Sequence, residues 1–213
     1  CKKETEGQLT LVGAVSPPGG DLSDPVVQNT LRVVRVFWSL EDKLADERHF
    51  PAISWLNSYT LYTNNIQDYF VENYGEEFIQ NRDHSMKLLQ EESELREIVR
   101  LVGAESLPVR DRLTLEVARS LREDYLQQHA FHDVDTFCSM SKQVKLLDLI
   151  LDFEKVAEDA IEKGIPFDKI QTLPVREDIA RSKYIHEDEI DKEYPAIKQK
   201  LRASIEELGK QLV

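Results

Sequence analysis

Phe50 is the first residue whose type and setting could serve a ligand. It follows a short helix-forming stretch and stands directly before Pro51, whose ring restricts the preceding residue and can hold an aromatic side chain in one orientation. A ring held in this way can stack on a flat ligand such as a nucleotide base. The alternative is a phenylalanine of the ordinary core, the commoner setting for this residue type.

A second group of residues could in principle bind a metal. His129 and His132 are three positions apart and are followed by Cys138, and imidazole and thiolate groups are ligands of zinc. Asp133 and Asp135 add carboxylates to the same stretch. Zinc sites usually have more closely paired ligands, so we interpret this stretch as a loop without a metal.

The element that would position such groups most distinctively is a loop near the start of the chain. Residues 15–25 contain two prolines followed by two glycines, which neither a strand nor a helix accommodates. The apolar stretch 9–15 before this loop and the β-branched stretch 31–38 after it are typical of buried strands. We therefore expect a shaped loop between two core strands, a setting that often carries function.

From about residue 60 onward the pattern becomes helical. Apolar residues recur at helical spacing over 88–102 before Gly103, over 113–128, and over 142–163 before Gly164, which predicts three amphipathic helices. The first two form a hairpin whose exposed tip is the charged turn 104–111. A short helix within 39–47, a helix beginning at Thr172 and a last helix from His186 through Pro195 to Leu212 are also predicted. The domain boundary is expected near residues 57–65.

Composition limits the range of partners. The 213-residue chain has 40 acidic and 27 basic side chains and a net charge of −13, which argues against binding to a nucleic-acid backbone. Its most apolar stretch in the second half, 146–153, contains two aspartates and is far shorter than the roughly 20 residues of a membrane span. The two cysteines, Cys1 and Cys138, are too few for a disulfide framework and favour a reducing compartment.

Four stretches of the chain together resemble the catalytic A subunit of V-type and A-type rotary ATPases. They are Gly13-Ala-Val-Ser-Pro-Pro-Gly-Gly-Asp-Leu-Ser-Asp-Pro25 with Gln28-Asn-Thr-Leu-Arg32, His49-Phe-Pro-Ala-Ile53, Gln128-His-Ala-Phe-His-Asp-Val-Asp-Thr136 and Ala180-Arg-Ser-Lys-Tyr-Ile185. The first of them resembles the catalytic partner rather than the noncatalytic B subunit. The resemblance covers essentially the whole chain. It implies an α/β remnant over residues 1–60, with the last strands of a RecA-like nucleotide-binding domain, and an all-α C-terminal helical bundle over 61–213.

The resemblance also implies where a nucleotide would bind. Phe50 matches an aromatic residue beside the adenine, and Phe131, preceded by Ala130, matches the loop that closes the other side of the base. Ser16 matches the position of a tyrosine on the phosphate side in the related F-type subunit. Serine lacks that ring, and the alternative for Ser16 is a hydroxyl that bonds to its own backbone. The implied ligand is ATP or ADP with Mg²⁺.

Two loops are implied to contact a rotating central stalk. One contains Asp21, Ser23 and Asp24, for which the alternative role is local Asx-turn hydrogen bonding. The other is the tip of the helical hairpin, with Glu105, Leu107 and Arg110. This tip is less acidic than the corresponding F-type loop, so we expect it to act through shape rather than charge.

The function implied by the resemblance is ATP hydrolysis or synthesis coupled to H⁺ or Na⁺ transport across a membrane. The implied partners are the noncatalytic B subunit in an alternating hexamer, the central stalk and the peripheral stalk, on the cytoplasmic side of the membrane. The family's phosphate-binding loop, catalytic glutamate and Mg²⁺-binding segment lie upstream of these residues, and the sequence contains no G-x-x-x-x-G-K-[ST] motif. We therefore expect a C-terminal fragment that is inactive alone.

The alternative function is a non-enzymatic, acidic helical module that binds a partner through the tip loop or the final helices. Such a module has no use for two core strands and a Pro-Pro-Gly-Gly loop in its first sixty residues. The sequence therefore favours the ATPase.

Overall fold

A long helix, α6 (Met140–Glu162), lies at the centre of the helical part of the chain. The computed structural model describes residues 7–211. Within α6 the side chains of Leu149, Ile150 and Phe153 have no exposed surface. A helix that is apolar on more than one face must be covered by other helices.

The helices that cover α6 come from the parts of the sequence before it and after it. The helices in contact with it are α4 (Glu76–Val102), α5 (Val109–Ser120), α7 (Phe167–Gln171) and α9 (Ile190–Gln211). Two outer helices complete the packing, with α3 (Thr63–Tyr74) against α4 and α8 (Val175–Arg181) against α9. The prediction of a helical bundle is confirmed.

The first sixty residues contain short elements and a small sheet. The elements are α1 (Pro25–Val33), β1 (Val36–Phe37), α2 (Asp42–Asp46) and β2 (Tyr59–Thr60). The two strands are antiparallel, with Val36 opposite Thr60 and Phe37 opposite Tyr59. A small sheet followed by a helical domain confirms the predicted fold class. The division at residues 60 and 61 stays a prediction.

The strand predictions on either side of the Pro-Pro-Gly-Gly loop are largely wrong for this structure. Residues 9–15 have no regular structure, and Leu9, Leu11 and Val12 are more than four-fifths exposed. A strand needs a neighbour for its backbone hydrogen bonds, and no strand of the described residues pairs with this stretch.

In the stretch 31–38 only Val36–Phe37 form a strand, because local capping extends a helix into its beginning. The side chain of Asp24 accepts hydrogen bonds from Val26 N (2.8 Å) and Val27 N (3.3 Å), and Pro25 occupies the first turn of α1. An Asp N-cap followed by proline is a strong helix start, and it outweighs the β-branched character of the following residues.

The helical predictions hold with adjusted ends. α4 ends before Gly103 (φ 83°) and α6 ends before Gly164 (φ 87°), in the left-handed region that glycine tolerates best. The predicted helix over 113–128 is α5 continued by a π-helical turn, Leu121–Leu126. α3 and α7 were not predicted.

Two predicted helix starts are wrong. The Thr172 hydroxyl donates to Asp168 O and Lys169 O, so it closes α7 rather than capping α8. The last helix begins at Ile190, four residues after His186, and it contains Pro195. Its predicted end at Leu212 lies outside the described residues.

Within residues 7–211 no helix is long and apolar enough to cross a membrane. Cys1 lies outside the described residues. Cys138 is a half-buried free thiol, and burial raises its pKa.

A buried ion pair joins α5 to α8. Glu116 accepts hydrogen bonds of 2.6 Å from the guanidinium groups of Arg176 and Arg119, and only 6% of the Glu116 side chain and 11% of the Arg176 side chain are exposed. The Arg176 guanidinium also lies 4.0 Å from the ring centroid of Phe153, a favourable cation–π geometry. Burial by itself would raise the pKa of Glu116, but the two arginines outweigh it and hold the pKa below its ordinary value of 4.5.

Replacing Glu116 with glutamine tests this ion pair. The change leaves Arg176 charged without its carboxylate, so we expect the free energy of unfolding at pH 7 to fall by roughly 3 kcal/mol. Because the folded pKa is lowered, the ion pair contributes fully above pH 4.5, and that contribution is lost as the pH falls through the folded pKa. Urea unfolding across this pH range should show the difference between wild type and variant shrinking in acid.

Glu91→Gln is the matched control, because Glu91 is partly exposed and lies 3.7 Å from Lys87 in a surface pair. Its effect should stay below about 1 kcal/mol at every pH. A destabilisation by Glu116→Gln that did not change with pH would contradict the assignment.

Candidate functional site

Phe50 and Phe131, the two phenylalanines singled out from the sequence, both face solvent. Phe50 is 52% exposed and Phe131 is 94% exposed. The alternative that either residue belongs to the core is therefore wrong. Large apolar side chains in this setting are available for a ligand or a partner.

The backbone links the loops that carry these two rings. Gln128 N donates a 2.8 Å hydrogen bond to Phe50 O, and the Gln127 side-chain amide donates to Arg48 O at 3.2 Å. Residues 127–136 are called the aromatic loop below. The structure thus brings the aromatic loop against the Phe50 segment, although 78 positions separate Phe50 from Gln128 in the sequence.

His49, the neighbour of Phe50, anchors the Phe50 segment from the other side. Its side chain is buried, and its ring centroid lies 5.3 Å from that of Trp55 in an edge-on arrangement. Burial lowers the pKa of His49, and the positive charges of Arg122 and Lys183 lower it further. Phe50 therefore projects from a segment whose adjacent side chain is fixed in the interior.

The aromatic loop is braced by hydrogen bonds between its own residues. His129 N donates to Asp135 Oδ2 at 2.6 Å, and the Asp135 side chain is buried. The Thr136 hydroxyl donates to Ala130 O at 2.8 Å. These two bonds close the loop on both sides of Phe131, so the exposed ring is carried by a shaped segment.

The histidine ring nitrogens take part in the same bracing. His132 Nδ1 accepts hydrogen bonds from Val134 N (3.1 Å) and Asp135 N (3.2 Å), and His129 Nδ1 accepts one from Phe131 N at 3.3 Å. Both Nδ1 atoms are thereby acceptors for backbone groups. Within residues 7–211 no three His, Cys, Asp or Glu side chains are grouped as metal ligands.

Residues 180–185, the last of the four stretches singled out in the sequence, pack against the aromatic loop. Of these, Ser182–Tyr184 form a 3₁₀ turn, and the Tyr184 ring packs on His132 with a centroid distance of 4.5 Å. Burial raises the pKa of Tyr184, with a further contribution from the negative charges of Asp135 and Asp124. This stretch therefore forms part of the surroundings of the aromatic loop, a role that sequence reasoning did not assign.

Ser16 lies in the exposed, irregular stretch before the turn Pro18–Gly20. A cavity of about 180 Å³ lies between residues 41–57 and α4, and neither phenylalanine lines it. The assignments of Phe50, Phe131, Ala130 and Ser16 to a nucleotide site stay predictions.

The carboxylates of the first predicted contact loop are engaged locally. Asp21 Oδ1 accepts a 2.9 Å hydrogen bond from Ser23 N, and this interaction with Ser23 lowers the pKa of Asp21. Asp24 caps α1. Asx-turn chemistry, the alternative role, is therefore present, while a contact with a rotating stalk stays a prediction.

The tip of the α4–α5 hairpin presents apolar as well as charged side chains. Glu105 and Arg110 are exposed and Leu107 is half-buried. Around them are Leu101 (85% exposed), Val102 (55%), Ile98 (46%) and Val109 (40%). Ile98 and Val102 belong to the apolar helical pattern over residues 88–102, but both are exposed toward the end of α4.

The comparisons with known proteins divide the chain in two. Residues 1–60 match the nucleotide-binding domain of the ATP synthase alpha/beta family, and residues 67–171 match the C-terminal domain of V and A type ATP synthase. The chain therefore joins part of an ATP synthase nucleotide-binding domain to the helical domain of the V and A types.

Relatives agree with this class, and one solved structure has a similar fold. The chain is 56% identical over 207 residues to the V-type ATP synthase alpha chain of Thermoanaerobacter pseudethanolicus, covering 94% of this chain and 35% of the relative. It is 54% identical over 202 residues to the A subunit of the A-type ATP synthase of Methanopyrus kandleri, covering 95% and 34%. The solved structure of a unique ATP synthase subunit NeqB from Nanoarcheaum equitans has a TM-score of 0.55 at 22% identity, over 65% of this chain and 32% of that one.

The chain belongs to the family of V-type ATP synthase alpha chains and A-type ATP synthase A subunits. It spans about a third of the length of these relatives, 35% and 34% for the two named.

The bracing of the aromatic loop is tested by removing the buried carboxylate, with Asp135→Ala. The His129 amide then loses a hydrogen bond to a charged group, so we expect its hydrogen exchange to quicken by roughly tenfold or more. Asp133→Ala is the matched control, because Asp133 is exposed in the same loop and its removal should leave that exchange rate unchanged. Equal rates in the Asp135→Ala variant and the wild type would contradict the bracing.

Proposed function

We propose that this chain supplies the adenine-binding rings and the rotor contact of the catalytic subunit of a V/A-type rotary ATPase. In the whole subunit, ATP hydrolysis or synthesis would be coupled to transport of H⁺ or Na⁺. Residues 1–60 would complete the nucleotide-binding domain, and residues 61–213 would form the helical domain. The observation that carries the proposal is the pair of exposed phenylalanines on loops joined by the Gln128–Phe50 backbone bond.

Stacking is the chemistry that these rings offer. An exposed aromatic ring that covers the face of a base removes apolar surface of both groups from water, and base–aromatic stacking contributes roughly 1–3 kcal/mol per base. Phe50 would form one wall of the adenine pocket, and Phe131 with Ala130 would form the other. Ser16 would lie toward the phosphates. Recognition by stacking depends on the shape of the base and needs no charged group in the pocket.

The phosphates and Mg²⁺ would be held by other parts of the subunit. Among residues 7–211 no cluster of three acidic, histidine or cysteine side chains fits a metal ion, and the sequence has no G-x-x-x-x-G-K-[ST] motif. This chain's part would be to bind and orient the base. Alone, it would not hydrolyse ATP.

The two contact loops would face the rotating central stalk. The first would use Asp21, Ser23 and Asp24. At the hairpin tip the apolar surface around Leu101 surrounds the charged Glu105 and Arg110, which supports contact through shape and apolar burial. The noncatalytic B subunit in an alternating hexamer and a peripheral stalk would be the other partners, on the cytoplasmic side of the membrane.

This proposal is preferred to a non-enzymatic helical interaction module. Family membership extends over the first sixty residues, which match a nucleotide-binding domain. An independent helical module would not explain that match.

The adenine pocket is tested with Phe50→Ala and Phe131→Ala in the full-length subunit within the assembled complex. Each change removes one stacking wall, so we expect the Kd for ADP to rise by about 5- to 150-fold, measured by calorimetric titration. Phe137→Ala is the matched control, because Phe137 is 68% exposed just beyond the aromatic loop and has no assigned role. An unchanged Kd in both test variants would refute the pocket.

The rotor contact is tested with two sets of substitutions at the hairpin tip. Leu101→Ser with Val102→Ser removes apolar surface that a partner would bury, at a cost of about 1.5–3 kcal/mol per side chain, so we expect ion transport per ATP hydrolysed to fall several-fold in complexes reconstituted into vesicles. Glu105→Gln with Arg110→Gln is the control for charge and should leave that ratio near the wild-type value. The opposite ranking of the two variants would show that the tip acts through charge.

A further inference from the structure

The peptide group between Gln127 and Gln128 is held at both of its polar ends. Its N–H donates to Phe50 O at 2.8 Å, and its carbonyl, Gln127 O, accepts a hydrogen bond from Lys183 Nζ at 3.1 Å. A peptide group is planar, so the two bonds together fix its orientation. This single group connects the Phe50 segment, the start of the aromatic loop and Lys183.

We propose that Lys183 is a positioning residue of the adenine site, acting through the Gln127–Gln128 peptide on the two phenylalanine walls. The inference rests on the proposed function of Phe50 and Phe131. Lys183 itself would not touch the nucleotide. Its role would be to set how the aromatic loop leaves the π-helical turn and meets the Phe50 segment.

An ammonium group suits this position chemically. The last carbonyls of a helix lack partners within the helix and interact favourably with a cation. Lys183 Nζ donates to two carbonyls there, Gln127 O and Glu123 O, the latter at 2.7 Å. The positive charge of Lys183 beside the Gln127 carbonyl also polarises this peptide group. The polarisation strengthens the hydrogen bond that Gln128 N donates to Phe50 O.

The backbone that carries Lys183 is also fixed to the helical core. The Lys183 carbonyl accepts a 2.8 Å hydrogen bond from Lys142 Nζ, which also donates to Ile185 O at 2.6 Å. Lys142 lies in the first turn of α6 and is only 1% exposed. The Tyr194 hydroxyl of α9 donates to Ser182 O at 3.1 Å. The 3₁₀ turn that presents Lys183 is therefore tied to two core helices.

A second contact keeps this turn against the aromatic loop. The Tyr184 ring packs on His132, whose Nδ1 organises the far side of the same loop. The turn thus touches the aromatic loop before and after Phe131. A loosened turn would change the position of the ring as well as the exit of the loop from the helix.

The test replaces Lys183 in the full-length subunit of the assembled complex and follows ATP hydrolysis. Lys183→Met removes both hydrogen bonds while keeping the length of the side chain, and we expect the KM for ATP to rise roughly tenfold with kcat changed far less. Lys183→Arg restores donors to both carbonyls and should bring KM back toward the wild-type value. If Lys183→Met does not assemble, Lys183→Gln keeps one donor and should give an intermediate rise in KM.

Lys198→Met is the matched structural control. Lys198 is half-buried and donates to Asp148 at 2.6 Å, so its loss breaks an α9–α6 contact away from the aromatic loop. The Tm of the Lys198→Met variant should fall, while its KM for ATP stays near the wild-type value. An equal rise of KM in Lys198→Met and Lys183→Met would mean that the effect is general destabilisation, and the inference would be overturned.

A double-mutant cycle separates this inference from the proposed function. If Lys183 acts through the two walls, adding Lys183→Met to the variant that carries both Phe50→Ala and Phe131→Ala should raise KM by no more than about twofold beyond that variant alone. Effects that multiply in full would overturn the inference. If Phe50→Ala and Phe131→Ala weaken nucleotide binding and Lys183→Met does not, the proposed function stands and the inference alone fails. If neither phenylalanine matters, both fail.

Discussion

The hydrogen bond from Gln128 N to Phe50 O is the contact on which the candidate site depends. It joins a loop of the first sixty residues to the loop that follows α5, and it places two exposed aromatic rings on segments that share a hydrogen bond. Both partners of this bond are main-chain groups, which every residue other than proline provides. The site therefore rests on main-chain geometry, while the side chains around it determine how rigidly that geometry is held.

The helical domain supplies this rigidity through polar groups that are buried and paired. Glu92 accepts two hydrogen bonds from Arg122 at 3.0 and 3.1 Å, and burial nevertheless raises its pKa against the effect of that arginine. Glu154 is likewise buried with a raised pKa, and it bonds to His84 at 2.7 Å. A buried ion pair such as Glu92 with Arg122 adds little net stability but is costly to separate, and a buried hydrogen bond such as that between Glu154 and His84 is costly to leave unmade. They favour one arrangement of α4, α5 and α6 over its alternatives.

The helical domain could be predicted from the sequence more completely than the first sixty residues. Each helix is specified by the periodicity of its own residues and by a glycine at its end, such as Gly103 for α4 and Gly164 for α6. These signals lie within or next to the helix that they specify. Strands depend on partners elsewhere, so the apolar stretch 9–15 could not by itself produce a strand. Asp24 and Pro25 indicate the start of α1 in the sequence. The β-branched residues that follow them favour a strand, and this obscured the signal. The exposure of Phe131 was not readable from periodicity, since it results from bonds such as that between His129 N and Asp135.

The hairpin tip has a mechanical consequence that follows from the length of α4. At 27 residues, this helix is about 40 Å long, and the buried residues among its members end at Glu92, so its last turns extend past the bundle. A tilt of the helix by about 5° about its first turn would displace Val102 by about 3.5 Å, given that length. The same tilt would displace the buried Glu92 by about 2 Å, so a shift of the buried part of α4 arrives at the tip nearly doubled, and the helix acts as a geometric amplifier.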